Sequence, residues 1–264
     1  MSNPILSVDR ISINFGGLKP VDSFSMELEA GEMVGLIGPN GAGKTTVFNL
    51  LSGVYTPTEG QIRLNGKRIN GMTSHEVVAE GIARTFQNIR LFKEMTVLEN
   101  VMVSFVKNTQ YSLWDATFRT RRFRRIEKEQ EEYAAELLSL FHLEHLKNEL
   151  ASSLSYGQQR KLEIARALGT NMKVLLLDEP AAGMNPTETS ELMECISLIR
   201  NRFGIAILLI EHDMSFVMNI CERIMVLEYG KKIAEGTPTE IVSNPQVIAA
   251  YLGDEEGGIN DVED

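Results

Sequence analysis

Two stretches of this 264-residue chain carry residue types whose spacing could do chemistry. The first is Gly38-Pro39-Asn40-Gly41-Ala42-Gly43-Lys44-Thr45-Thr46, between the apolar run Met33-Val34-Gly35-Leu36-Ile37 and Val47-Phe48-Asn49-Leu50-Leu51. It predicts a short buried strand, a glycine-rich turn and a helix. In that context successive backbone N–H groups curl around an anion, and the run fits G-x-x-x-x-G-K-[ST] at every position. Lys44 would bring a mobile positive charge to the β and γ phosphates of a nucleoside triphosphate, and the Thr45 hydroxyl could ligate Mg²⁺. A dinucleotide fingerprint fits less well, since the third glycine is missing and Lys44 has no role there.

The second stretch is Val174-Leu175-Leu176-Leu177-Asp178-Glu179-Pro180. A continuously apolar strand is buried on both faces, as in a parallel sheet. Asp178 at its carboxyl end could hold Mg²⁺ through the water shell of the ion. Glu179 points elsewhere and is placed to orient or deprotonate an attacking water.

Three weaker signals gain meaning beside these. Ile82 to Gln87 predicts a short strand whose polar end, Gln87, could touch Mg²⁺ or the attacking water. Leu154-Ser155-Tyr156-Gly157-Gln158-Gln159-Arg160-Lys161 predicts a helix start presenting a hydroxyl, free N–H groups and a positive dipole end. Ile205 to Ile210 predicts another buried strand, running into Glu211-His212-Asp213, where His212 could donate a hydrogen bond to a γ phosphate. Phe15, ending the first predicted strand, either stacks on a purine or packs in the core. His75, His142 and His145 are expected at the surface.

The elements that must position these groups are legible by periodicity. Ile5 to Phe15 and Val21 to Leu28 alternate as two antiparallel strands, and Gln61 to Lys67 as a strand with an Asn-Gly turn. Ser74 to Glu80 predicts a helix ended by Gly81, and Thr96 with Glu99 a capping box. Residues 91–160 then turn helical, interrupting the α/β pattern. Their basic run, Arg119 to Arg125 with Lys128, is either a solvated helix laced with pairs such as Arg125–Glu129 or a surface lying near anionic headgroups or a membrane partner. Trp114 is left open between core and subunit contact. Glu188 to Arg202 predicts a helix with Leu192, Cys195, Ile196 and Ile199 inward. Ile224–Glu228 and Lys232–Gly236 predict a hairpin, followed by short helices and an acidic tail from Asp254 expected to fray.

Composition narrows the classes. Hydrophobic residues at 43% and charged residues at 23% describe an ordinary globular protein, with no apolar run of about 18 residues to span a bilayer. A net charge of -10 argues against nucleic acid as partner. Cys195 and Cys221 are expected as buried thiols rather than a disulfide.

Taken together, Gly38–Thr46, Gln87, Leu154-Ser155-Tyr156-Gly157-Gln158, Val174–Glu179, the Ala181–Pro186 turn and His212 resemble the ATP-binding cassette (ABC) ATPases over nearly the whole chain. The serine-glycine signature is the specific element. The resemblance implies an α/β phosphate-loop core (1–90 and 161–253) with an N-terminal antiparallel β subdomain, an inserted α-helical subdomain (91–160) and an acidic tail (254–264). It implies Phe15 as the adenine-stacking aromatic, and a head-to-tail dimer with two Mg²⁺-ATP sandwiched between subunits. One subunit would supply Gly38, Pro39, Asn40, Gly41, Ala42, Gly43, Lys44, Thr45, Thr46, Gln87, Asp178, Glu179 and His212, the other Ser155 and Gly157. The subgroup most resembled is the larger ATPase subunit of branched-chain amino acid importers. Its implied partners are a second ATPase subunit, membrane permease subunits and, indirectly, an extracytoplasmic solute-binding protein, with the chain peripheral on the cytoplasmic face of the membrane. Urea or amide importers and a lipopolysaccharide exporter share much of the pattern. A non-transport cassette ATPase fits less well, since only about 110 residues separate the phosphate loop from the signature. Tyr156, where a glycine is usual, and Asn185, where an aspartate is usual, depart from the common family pattern.

Overall fold

The computed structural model describes residues 3–108 and 112–256. Strands β1 (Leu6–Phe15) and β2 (Leu18–Leu28) pair antiparallel, with Phe15 opposite Leu18 across the Gly16-Gly17 turn. After the turn at Gly31 comes β3 (Met33–Ile37), then α1 (Lys44–Leu51). The chain then returns as β4 (Glu59–Leu64) and β5 (Lys67–Arg68), giving a sheet in the order β2-β1-β4-β5. Its alternation buries Leu6, Val8, Val21, Phe24, Met26 and Ile62 in a core shared with Phe48 and Leu51 of α1. The expected β layer on an α/β core is present.

The second sheet runs β10-β9-β3-β8-β7-β6, from β6 (Ile82–Arg84), β7 (Val174–Asp178), β8 (Ala206–Ile210), β9 (Arg223–Glu228) and β10 (Lys231–Gly236). All pairs are parallel except β9 with β10. Every residue of β3, β7 and β8 is buried, as strands covered on both faces require. Ile210 of β8 is in register with both Leu36 of β3 and Asp178 of β7, so these strands end level with one another. The loops after level carboxyl ends face one crevice, which is where open α/β sheets bind ligands.

Helix α2 (Ser74–Glu80) has the predicted left-handed Gly81 cap. An inserted helical layer follows: α3 (Val97–Met102) with its Thr96–Glu99 capping box, a 3-10 segment Val103–Asn108, α4 (Leu113–Thr117), α5 (Arg121–Ser139) and α6 (Tyr156–Leu168). Val97, Val101, Phe105, Leu137, Leu138 and Leu162 join it to the main core. Helices α7 (Pro186–Phe203), α8 (Met214–Ile220), α9 (Pro238–Val242) and α10 (Pro245–Glu256) complete the chain. Leu192, Cys195, Ile196 and Ile199 are the buried face of α7, as their spacing predicts. Among the described residues no helix is long and apolar enough to cross a membrane.

Some expectations require correction. Of the two readings left open for Trp114, core packing is excluded, since it is 74% exposed. The tail expected to fray from Asp254 continues α10 to Glu256, and residues 257–264 lie outside those described. The strand expected over Ile82–Gln87 ends at Arg84, with Gln87 beyond it. Thr85 N still donates to Leu176 O (3.0 Å), but the carbonyls of Phe86 and Gln87 are taken by the Arg160 side chain, which draws the chain off the sheet.

Candidate nucleotide and catalytic site

The phosphate loop is shaped by close backbone approach at two glycines. Gly38 has φ +149°, and a Cβ there would stand 2.0 Å from the Leu227 carbonyl oxygen; Gly43 has φ +106° and would meet Pro20 O at 2.2 Å. The loop is thus wedged between β9 and the hairpin strand β2, and Gly230 N, in the turn after β9, donates to Ala42 O (2.8 Å). Lys44 opens α1 and is buried, its Nζ donating to the carbonyls of Gly38 (2.7 Å) and Pro39 (2.8 Å). Thr45, one residue on, is exposed. Phe15 is 45% exposed at the hairpin end, edge-on to Tyr55 with centroids 5.2 Å apart, which leaves much of its surface open.

Across the crevice three predicted residues meet. Glu179 Oε1 accepts from His212 Nε2 (2.7 Å) and Glu179 Oε2 from Gln87 Nε2 (2.8 Å), so one carboxylate is held from two loops. Glu179 adopts φ +47°, a left-handed conformation that costs a non-glycine residue about 1 kcal/mol or more. Its N–H donates to Ile210 O (2.9 Å), which fixes the turn. His212 spends its Nε2 on Glu179 here, so donation to a phosphate from the same nitrogen requires that contact to break.

Asp178 is 4% exposed and ion-paired with Arg84 (Nη2 to Oδ2, 2.7 Å). Arg84 also donates to Asn49 Oδ1 (2.7 Å) of α1. Ser155 caps α6: its Oγ accepts from Gln158 N, and Gln158 Oε1 accepts from Ser155 N. Buried Gly157 packs against Glu188, whose Oε1 would lie 2.9 Å from an added Cβ. Asn185 is the N-cap of α7, with Oδ1 accepting from Glu188 N (3.0 Å). Asparagine caps as well as aspartate, so this departure costs the local fold nothing. The Tyr156 ring lies within 3.6 Å of a Cβ built on Gly183, and its hydroxyl accepts from Arg160 Nη2 (3.4 Å), so the side chain links the signature helix to the Ala181–Pro186 turn. His75, His142 and His145 are exposed as expected, and both cysteines are buried free thiols.

Four residues that the motifs do not reveal organise the site. Arg84 neutralises Asp178. Arg160, fully buried, donates to Phe86 O (2.6 Å), Gln87 O (2.8 Å) and Glu163 (2.8 Å). Burial pushes the Glu163 carboxyl up, against the pull of Arg160. Glu211 Oε1 accepts from Ala181 N (2.8 Å) and its other oxygen from His212 N (3.1 Å), tying the two strand-end loops together; burial raises its pKa against these backbone donors. A charged residue in an apolar run was the one signal available for Arg84, and an i,i+3 opposite-charge pair within α6 for Arg160 and Glu163.

Beside this site lies a groove of about 640 Å³ between the sheet core and the helical layer, lined by Arg84, Phe86, Arg90, Phe92, Glu163 and Arg166 among others. Arg90 stacks on Phe86 at 4.1 Å, and Arg90 N donates to Glu163.

The family model described as "ABC transporter" matches residues 21–182, from the first sheet through the phosphate loop and signature to Glu179. The chain belongs to the ABC transporter family. This ABC ATPase has a further match, over residues 231–257, to the model described as "Branched-chain amino acid ATP-binding cassette transporter". It is 48% identical to a high-affinity branched-chain amino acid transport ATP-binding protein, BraF, of Pseudomonas aeruginosa, with 96% of this chain and 100% of that protein covered. It is 49% identical to the LivG protein of the same description from Salmonella typhimurium, with the same coverage. The lipopolysaccharide export ATP-binding protein LptB of Haemophilus influenzae is 35% identical, over 95% of this chain and 98% of that one. Among solved structures, an ATP-binding cassette of an ABC transporter in its ADP conformation superposes with a TM-score of 0.82 at 34% identity, covering 96% of this chain and 100% of that one. The protein is therefore an ATP-hydrolysing subunit of an ABC transporter, with the phosphate-loop core, N-terminal β subdomain and inserted helical subdomain of that family.

Proposed function

We propose that this ATPase energises import of branched-chain or other hydrophobic amino acids through a membrane permease. The observation that carries this is the match of residues 231–257 to a branched-chain-specific model, beyond the region common to ABC ATPases. Identity across the full length to two branched-chain amino acid transport proteins, well above that to the lipopolysaccharide exporter, supports the same solute class. The exporter relative keeps lipopolysaccharide as the second reading.

In this proposal Gly38 to Thr46 wrap the phosphates with backbone N–H groups, and Lys44 exchanges its two loop carbonyls for phosphate oxygens. Phe15 offers its open face to the adenine. The donor set around the crevice suits Mg²⁺: the Thr45 hydroxyl, the Asp178 carboxylate and Gln87 Oε1, the amide NH₂ of Gln87 being engaged by Glu179. All are hard oxygen donors, and they are few, as befits a cation that keeps waters and phosphate oxygens. When bound, the ion neutralises charge developing on the phosphates. Glu179 is the base that takes the proton of the attacking water. Gln87 and His212 orient it, and His212 turns to the γ phosphate when the site closes.

Ser155 and Gly157 would complete the site of a second ATPase subunit in a head-to-tail dimer, mixed in the transporter. Stabilising the γ phosphate from two chains couples nucleotide binding to closure. The groove lined by Arg90 and Phe92 would receive the permease, next to the Gln87 loop. The test is co-purification with the permease, followed by ATPase assays with the solute-binding protein and candidate solutes. Stimulation by leucine, isoleucine or valine is expected; stimulation by another solute class alone would overturn the assignment.

A further inference from the structure

Trp114 of α4 and Phe118, its C-cap, lie one turn apart with their rings parallel, the centroids 5.7 Å apart and the planes 2° from parallel. Both are open to solvent, at 74% and 67% exposure. The pair is held in place: Ser112 and Asp115 form a capping box on α4, and Thr120 Oγ1, at the cap of α5, donates to Asp115 Oδ1 (2.9 Å). Next to it the chain exposes Arg119, Arg121, Arg122, Arg124, Arg125 and Lys128, with Asp115 and Glu127 the carboxylates of the same stretch. Arg125 and Lys128 are ion-paired along α5 with Glu129 (3.7 Å) and Glu132 (3.6 Å), so Arg119, Arg121, Arg122 and Arg124 form the basic end of the face. Helices α2, α3, α7 and α9 each place Glu in the first turn, where it offsets the helix dipole. The first turn of α5 carries no acid and two arginines instead, an arrangement that works against the helix.

We infer that this aromatic and basic face of the helical subdomain rests on the surface of an anionic phospholipid bilayer. Charge complementarity selects that occupant. A chain of net charge -10 is repelled by anionic headgroups unless one cationic patch turns toward them, and this stretch supplies it. Arginines bind the headgroups while a Trp-Phe pair sits at the boundary with the acyl chains, the composition of interfacial contacts. The patch also adjoins the groove assigned above to the permease. Val103 and Ser104 of the 3-10 segment line that groove, while Phe105 of the same segment lines the neighbouring hollow with Arg122, Arg125 and Tyr133. The placement rests on the transporter assignment, whereas the contact itself involves this chain and lipid alone.

The experiment is sedimentation of the purified full-length protein with vesicles of phosphatidylcholine, with and without phosphatidylglycerol. Wild type is expected to sediment with the anionic vesicles and not with pure phosphatidylcholine, and to be released by salt. With each basic contact worth about fivefold in partition, R121E/R124E should weaken binding about 30-fold or more. W114A/F118A should weaken it without altering the salt dependence. R63E/K67E, which reverses exposed charge on the β subdomain, should leave binding unchanged, and circular dichroism confirms that each variant folds. Failure of wild type to bind anionic vesicles, or undiminished binding by both patch variants, overturns the inference. So does a loss of permease assembly in detergent with vesicle binding intact, which would make the patch a protein contact. None of these outcomes bears on the solute assignment, which the ATPase stimulation assay decides.

Discussion

Gln87 donates through Nε2 to Glu179 at 2.8 Å, while its own carbonyl accepts from Arg160 of the signature helix at the same distance. The strand-end carboxylate is therefore connected, through one loop residue, to the helix that begins at the signature. The same guanidinium binds Glu163, which accepts from Arg90 N at the edge of the groove. Groove, signature helix and Glu179 form one hydrogen-bonded path.

Arg160→Ala should break that path and leave Glu163 buried without its cation. Removing one partner of a buried pair costs about 3–5 kcal/mol, so the midpoint of urea unfolding should fall markedly. Any folded fraction should bind ATP but lose stimulation by the permease. Unchanged unfolding and stimulation would show that Arg160 does not position the loop.

Lys44→Ala removes the one buried cation of the phosphate loop. Loss of hydrogen bonds from a charged donor, worth about 1.5–3 kcal/mol, predicts a roughly 10- to 150-fold weaker ATP affinity. Calorimetric titration of the purified chain measures it.

Gly43→Ala forces a side chain into φ +106° and toward Pro20 O. Backbone strain of this kind costs about 1–3 kcal/mol, and the contact adds to it. Thermal melts should show the loss, whereas Gly41→Ala, where a Cβ meets nothing within 4 Å, pays only the φ +76° strain and should lose less.

The Glu99 carboxyl accepts from Thr96 N and the Thr96 hydroxyl, which hold its pKa below the ordinary 4.5. A depressed acid adds stability above its unfolded value, and that stability is lost as pH falls through the folded one. Glutamine keeps the capping box but cannot titrate. Glu99→Gln should therefore leave stability near neutral pH little changed and flatten its decline below pH 4.5, as measured by urea unfolding across that range.

Much of this was legible in the sequence because the motifs are local. A phosphate loop is nine consecutive residues, and an apolar run ending in Asp178-Glu179 announces both burial and chemistry. The convergence of Gln87, Glu179 and His212 could be anticipated, since residues beyond level parallel strands share a crevice. Arg84 and Arg160 were not anticipated because their partners lie far along the chain: Asp178 for one, the carbonyls of Phe86 and Gln87 for the other. Periodicity sees which face of a helix is apolar, and a buried arginine looks like a solvated one until its acceptors are placed. Trp114 stays undecided in the sequence between core and subunit contact, since no periodicity places it, and only the fold shows it exposed. The end of the strand at Arg84 was hidden for a related reason, being set by side-chain capture from another helix rather than by propensity.

The central assignment is Glu179 as the base, held by Gln87 and His212. Glu179→Gln in the assembled transporter tests it most directly, by measuring ATP affinity and turnover on the same preparation. The account predicts wild-type affinity with turnover reduced about 10²- to 10⁴-fold, the usual worth of a positioned base. Turnover near the wild-type rate would contradict it.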